Sequence, residues 1–307
     1  MLPYKYRTYN SYLKEIFNCR VYKVSVDGNF SCPNRDGTKS YNGCVFCDEK
    51  GSSSRTQPSH MSIKDQIINN IKIRKSRYKA KKFIVYFQSF TNTYANTDHL
   101  KKIYDEAINS HEDIVGLSIA TRADCVDEEK IKLIASYKEK LPYVCIEYGM
   151  QTIHDTTLQK INRKETHQDF LKALSLTQKY NIDHCVHVIL GLPDETYEMQ
   201  MQTAQKLAKL NVQGIKIHLL VAMKNTPLEE EYFKGNWQPL SFDEYVHLAS
   251  DFLEYLPPNC IIYRISGNGH PLYTVAPKWM YKEKKNVILS INQELIKKNS
   301  YQGKKFS

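Results

Sequence analysis

Short apolar runs recur along this chain, and stretches of helical spacing separate them. "VYKVSVDG" (21–28), "FIVYFQSF" (83–90), "VGLSIATR" (115–122), "YVCIEYGMQ" (143–151), "HCVHVILGLP" (184–193) and "GIKIHLLVAM" (214–223) read as six strands. A helix is expected from about Ser62 to Tyr78, with Ile63, Ile67, Ile68 and Ile71 on one face. More helices are expected at 98–109, from Asp127 with Ile131 and Ile134 inward, and at 154–160, 167–180 and 195–210. This alternation predicts parallel strands joined by right-handed crossovers. Six units fall short of the eight in a closed barrel. The expected fold is α/β, a partial, open (β/α)6 TIM-like barrel, with a doubly wound sheet as second choice. Residues 1–225 form the expected core. Residues 226–307 read as a C-terminal extension: helices near 228–234 and 241–255, a strand "CIIYRISG" (260–267) and a helix 284–298.

In such folds ligands gather at the carboxyl ends of the strands. Polar or glycine-bearing sequences fall there: a cysteine loop after the first strand, then "QSFTNTY", "TRAD", "EYGMQT" and "GLPDET". His187 and His218 lie within strands and read more readily as satisfied core histidines than as substrate contacts.

Composition narrows the class. Of 307 residues, 41% are hydrophobic and 25% charged, as in an ordinary soluble domain. No apolar stretch approaches a membrane span. The polar N-terminus "MLPYKYRTYNSYLKE" has no secretory core, so a cytoplasmic location is expected, where thiols stay reduced. The formal charge of +10 is concentrated. "KIRKSRYKAKK" (72–82) carries seven Lys or Arg and no acid, and the tail from Lys278 has eight lysines against two glutamates. Basic residues also alternate with Tyr4, Tyr6, Tyr9 and Tyr12. Such patches suit a phosphate backbone and stacked bases, or are a solvated face and tail.

Three of the eight cysteines share one loop, "FSCPNRDGTKSYNGCVFCDEKGSS" (30–53): Cys32, Cys44 and Cys47. Cys19, Cys125, Cys145, Cys185 and Cys260 are isolated, and Cys145 and Cys185 read as small buried hydrophobes. A [4Fe–4S] cluster normally takes four thiolates. With three supplied, one iron keeps an open position for chemistry. Gly37, Gly43, Pro33 and Asp36 provide turns, and Phe46 sets an aromatic beside the open position. A zinc-stabilised RNA-binding protein is the rival reading, with His60 completing a tetrahedron. An enzyme with a small-molecule substrate is a third.

The loop resembles that of the radical S-adenosylmethionine (radical SAM) superfamily. Its C-x11-C-x2-C spacing is similar to the elongator-like branch, and closest to stand-alone bacterial relatives of the elongator catalytic subunit. "FQSFTNTYA", "IEYGMQT", "INRKETH", "GLPDET", "IKIHLL" and "APKW" follow in the same order, so the resemblance covers roughly residues 4 to 282. It implies that Cys32, Cys44 and Cys47 hold three irons while the fourth binds S-adenosylmethionine. Gln88, Ser89, Thr91 and Asn92 would meet the methionine amino group, although the usual Gly-Gly-Glu is missing there. Glu147 and Gln151 would lie near the ribose, Arg163 near the carboxylate and Gly191 near adenine. Plainer roles stand beside these: Glu147 paired with a lysine, Arg163 on the surface, Asn92 capping a helix. The implied activity is reductive cleavage of S-adenosylmethionine to a 5′-deoxyadenosyl radical, fed by an electron donor such as flavodoxin or ferredoxin. The implied substrate is the wobble uridine of tRNA. The elongator-like relatives use a following acetyltransferase domain, for which a chain ending at 307 leaves no room. The expected step therefore acts on an installed C5 side chain, processing carboxymethylaminomethyl towards aminomethyl.

Overall fold

The computed structural model describes residues 4–51, 61–267, 270–282 and 284–306. His60 lies outside the described residues. The chain runs α1 (Tyr9–Phe17), β1 (Val21–Val26), α2 (Ile63–Tyr78), β2 (Lys82–Phe87), α3 (Thr97–Ile108), β3 (Ile114–Thr121), α4 (Glu128–Ser136) and β4 (Tyr143–Gln151). It continues through α5 (Asp155–Lys160), α6 (His167–Lys179), β5 (Asp183–Leu190), α7 (Tyr197–Lys209), β6 (Gly214–Leu219) and β7 (Ala222–Met223). The last elements are α8 (Pro227–Phe233), α9 (Phe242–Tyr255), β8 (Ile261–Arg264), β9 (Thr274–Ala276), α10 (Trp279–Lys282) and α11 (Lys284–Lys297).

Local chemistry sets the helix starts. Ser62 caps α2 by accepting from the Asp65 amide, and Asp127 caps α4 by accepting from the Lys130 amide. Asn96, not Asn92, caps α3. On α2, Ile63, Ile67 and Ile71 are buried, while Ile68 is 38% exposed.

One sheet has the order β1-β2-β3-β4-β5-β6-β8, with every neighbouring pair parallel. The order never reverses, which is barrel topology rather than a doubly wound sheet. The seventh strand, β8, comes from the segment expected in the extension and pairs with β6. The expected sixth strand stops at Leu219; Ala222–Met223 pairs antiparallel with β9 instead. No sequence pattern announced α1.

Side chains prove that the sheet curls. Lys216 on β6 donates to the Tyr86 hydroxyl on β2 at 3.0 Å. On a flat sheet those strands would lie about 19 Å apart, at about 4.8 Å per strand. Lys23 on one edge strand likewise lies 5.0 Å from the ring of Tyr263 on the other.

Alternation along the strands divides the residues between two faces. Val144, Ile146, Tyr148 and Met150 of β4 join the main core beneath the helices. Tyr143 and Cys145 point inward and pack with Ile84, Cys185 and Leu13 of α1. Tyr9 of α1 stacks on Tyr263 at 4.1 Å between ring centres. Helix α1 therefore plugs the interior at the amino ends of the strands. Cys145 and Cys185 are fully buried among these rings, the small-hydrophobe role expected of them.

Leu13 is 3% exposed and is the buried residue of α1. Leu13→Ala should cost about 2–5 kcal/mol, as large core truncations do, and lower the urea midpoint. An unmoved midpoint would mean that α1 does not hold the barrel closed.

Candidate functional site

The strand ends carry two layers of polar side chains inside the curl. The lower layer centres on Glu147, which is fully buried. One carboxylate oxygen accepts from Lys23 and from Ser118, the latter at 2.5 Å. The other accepts from Lys216 and from His187, the latter at 2.9 Å. A carboxylate has about four acceptor positions, so the chain's own groups fill them. Glu147 thus pairs with two lysines in the interior rather than presenting a free carboxylate at the rim. Burial alone would raise its pKa; Lys216 first, then Lys23 and His187, hold it well below the usual range. Lys23 is further caged by the rings of Tyr9, Tyr86 and Tyr263 at 4.6–5.0 Å.

His187 is a satisfied histidine, as expected. His218 is not: its ring lies 5.3 Å from that of His187, and its Nε2 is buried without a partner among the described residues. Glu147, Cys185 and His187 offer three ligand atoms within 4.8 Å of one another. Two ammonium groups already occupy the carboxylate, and a metal ion there would face like charge.

The upper layer is the cysteine loop, which follows β1 and is bolted to the "INRKE" turn after α5. Val45 N–H donates to the Ile161 carbonyl at 3.1 Å. Asn34 Nδ2 donates to the Asn162 carbonyl at 2.6 Å, and Asn162 Nδ2 returns a bond to the Gly43 carbonyl at 2.7 Å. Gly43 has φ +69°, and a Cβ on it would come within 2.9 Å of the Arg35 guanidinium. That guanidinium passes under the loop to the carbonyls of Cys47 and Asp48, at 2.5 and 2.7 Å.

Arg163 is buried, not on the surface. Its Nη1 faces Cys44 Sγ at 3.7 Å, Nη2 donates to the Gly149 carbonyl at 2.7 Å, and Nε to Glu165 at 3.0 Å. Gly149 makes room for it: a Cβ there would lie 3.1 Å from Nη2 and 2.7 Å from the Gln151 amide. Gln151 is therefore beside Arg163, under the loop. Glu165 also meets Arg122, which holds Asp124 through two bonds of 2.7 and 2.8 Å. Burial pushes the Glu165 carboxyl up to about 7, and Arg163 and Arg122 restrain it. Lys39 of the loop completes the network on Asp124.

The β2 end supplies the remaining expected residues. Gln88 accepts from Ser25 at 3.1 Å, and Ser89 is buried. Thr91 N–H donates to the Ser31 carbonyl, one residue before Cys32, at 3.2 Å. Thr91 Oγ1, Asn92 Oδ1 and Asn34 Oδ1 are buried without a partner among the described residues. Gly191 lies after β5 with φ +82°; its N–H donates to Gln200 and its carbonyl accepts from Trp237.

These residues fit an iron–sulfur cluster. The donor set is three soft thiols on one loop. Two N–H groups aim at Cys44 sulfur, which accepts weakly as a thiol and strongly as a thiolate. Burial pushes the Cys47 thiol up to about 11, and a bound metal would favour the thiolate there, releasing the proton to solvent.

A partial parallel barrel with a three-cysteine loop at its carboxyl rim is the architecture of a radical SAM enzyme. The chain belongs to the radical SAM superfamily: that family's pattern matches residues 37–207, and the Radical_SAM C-terminal domain matches 212–297. Such enzymes use a [4Fe–4S] cluster with S-adenosylmethionine and require an electron donor. The chain is 41% identical to the protein YtqA of Bacillus subtilis over 98% of its own length and 93% of the relative's. It is 25% identical, over 47% of its length and 26% of the relative's, to a tRNA uridine(34) acetyltransferase of Methanocaldococcus jannaschii. The Methanocaldococcus infernus Elp3 structure with an N-terminal deletion shares the fold, with TM-score 0.70 and 17% identity over 92% of this chain and 64% of that one. No helix among the described residues is long and apolar enough to cross a membrane.

The interior layer is where charge decides stability. Glu147→Gln leaves Lys23 and Lys216 buried against a neutral amide, and should cost about 3–5 kcal/mol in denaturant unfolding. Burial, then Lys216, lower the His187 pKa from 6.5 to about 4. The unfolded chain therefore binds the proton more readily, and stability falls as pH drops from 6.5 towards 4. His187→Gln, which keeps a donor for Glu147, should lessen the fall of the denaturation midpoint across that window, the remainder coming from groups such as His167, His184 and His218, which burial also lowers. A profile identical to the wild type would contradict the buried, neutral histidine.

Proposed function

We propose that Cys32, Cys44 and Cys47 hold the cluster, and that the enzyme processes the C5 side chain of a tRNA wobble uridine, carboxymethylaminomethyl towards aminomethyl. The observation that carries the cluster assignment is three thiols on one rim loop with two buried N–H groups directed at one of them. When bound, the cluster and S-adenosylmethionine supply a one-electron cleavage giving a 5′-deoxyadenosyl radical.

The chain's own residues then bind and shield. Thr91 Oγ1 and Asn92 Oδ1 are open acceptors suited to an ammonium group, the part the sulfonium cofactor's amino end would need. Gln88 and Ser89 precede them in the chain, and Gln151 lies beside Arg163. The α1 plug and the tyrosines Tyr9, Tyr143 and Tyr263 close the interior from below. A radical formed at the rim is thereby kept from solvent on that side.

Likeness to the tRNA uridine(34) acetyltransferase and the basic charge support tRNA. The charge needs placing, however. The lysine-rich segment ends α2 and opens β2, at the amino ends of the strands and opposite the cysteine rim. It suits the body of a long polyanion along the flank, while Arg35, Lys39 and Lys164 carry charge at the rim.

Protein purified without oxygen should bind about four irons per chain, and Cys44→Ala should lose them. A colourless protein with one zinc would sink the cluster assignment. In a deletion strain, tRNA nucleosides should show accumulated carboxymethylaminomethyluridine and loss of the aminomethyl product. An unchanged profile would remove the tRNA reading and leave a small-molecule substrate.

A further inference from the structure

The three loop cysteines do not have equal surroundings. Cys44 Sγ faces Asn34 Nδ2 at 3.6 Å and Arg163 Nη1 at 3.7 Å. No side chain among the described residues donates to Cys32 Sγ. The two donors are fixed in place. Asn34 is fully buried and held by the Asn162 carbonyl. Arg163 is held by Glu165 on one side and the Gly149 carbonyl on the other. A second guanidinium, Arg35, is locked onto the Cys47 and Asp48 carbonyls.

A buried cation beside a neutral thiol returns little for its lost hydration. Beside a cluster thiolate the balance changes. Taking up one electron from a low-potential flavin or iron–sulfur protein makes and breaks no bond. It adds one negative charge, spread over the irons and their sulfur ligands. N–H groups aimed at a ligating sulfur stabilise that added charge and raise the potential.

We infer that Arg163 and Asn34 are positioning residues that raise the reduction potential of the cluster through Cys44. This gives Arg163 a task before any S-adenosylmethionine arrives, distinct from contact with a carboxylate. The inference rests on the assignment of Cys32, Cys44 and Cys47 as the cluster ligands.

The test is a redox titration followed by electron paramagnetic resonance, without S-adenosylmethionine, with iron counted in each sample. Arg163→Met should keep its iron. Its ratio of reduced to oxidised cluster at a fixed potential should fall about tenfold, which is 59 mV for one electron. Arg163→Lys, which keeps the charge but not the fork, should fall less, and Asn34→Leu should move the same way as Arg163→Met. A fully loaded Arg163→Met protein that titrates like the wild type overturns the inference alone. If the variants do not load, wild-type protein reconstituted in D2O decides. Its Fe–S(Cys) stretching bands in resonance Raman should shift from those in H2O, and unmoved bands overturn the inference. A wild type that takes up no iron overturns the cluster assignment itself.

Discussion

The carboxylate of Glu147 is the joint on which the barrel closes. It lies on β4, in the middle of the sheet, and takes an ammonium group from β1 on one side and from β6 on the other. Either lysine alone in the interior would be costly to bury, and so would the carboxylate. Together they satisfy one another only if the sheet bends enough to bring the three strands within reach. The bend turns the carboxyl ends of the strands toward a common centre. The cysteine loop, the "INRKE" turn and the β2 end can meet only because of that convergence.

Electrostatics continues upward from this joint. At the rim, Arg122 and Arg163 share Glu165, Asp124 answers Arg122 and Lys39, and Arg35 grips the backbone of the loop. The positive members outnumber the acids, which suits a region built around thiolates. The same residues fasten the loop mechanically, so its charge and its shape cannot be varied separately.

Much of this was legible in the sequence, for identifiable reasons. The strands from β1 to β6 announce themselves because parallel strands covered by helices need continuous apolar runs. The cysteine loop was readable because ligand number is a chemical statement. What escaped notice depends on partners far away in the chain. Lys23 and Lys216 are single polar letters inside apolar strands, and their use appears only when Glu147 is seen between them. The strand β8 is short and follows two helices, so local pattern assigned it to the extension; its pairing with β6 is a tertiary fact. Helix α1 is aromatic and polar in sequence, with Lys14 balanced by Glu15, and its apolar face is defined by a barrel floor that no local window contains. Arg163 is expected at the cofactor from its motif, but its contacts with Cys44 and Gly149 join segments 119 and 14 residues away in the chain, which no local pattern encodes.

The ends of the chain are sewn to each other. Lys5 N–H donates to Asn292, Arg7 N–H to Gln302, and the Gln302 N–H returns to the Lys5 carbonyl. Thr8 bridges to Ile262 of β8. The first two of these bonds join residues 287 and 295 positions apart in sequence. The floor of the barrel is thus held by contacts of very high sequence separation, the kind whose loop-closure entropy slows folding.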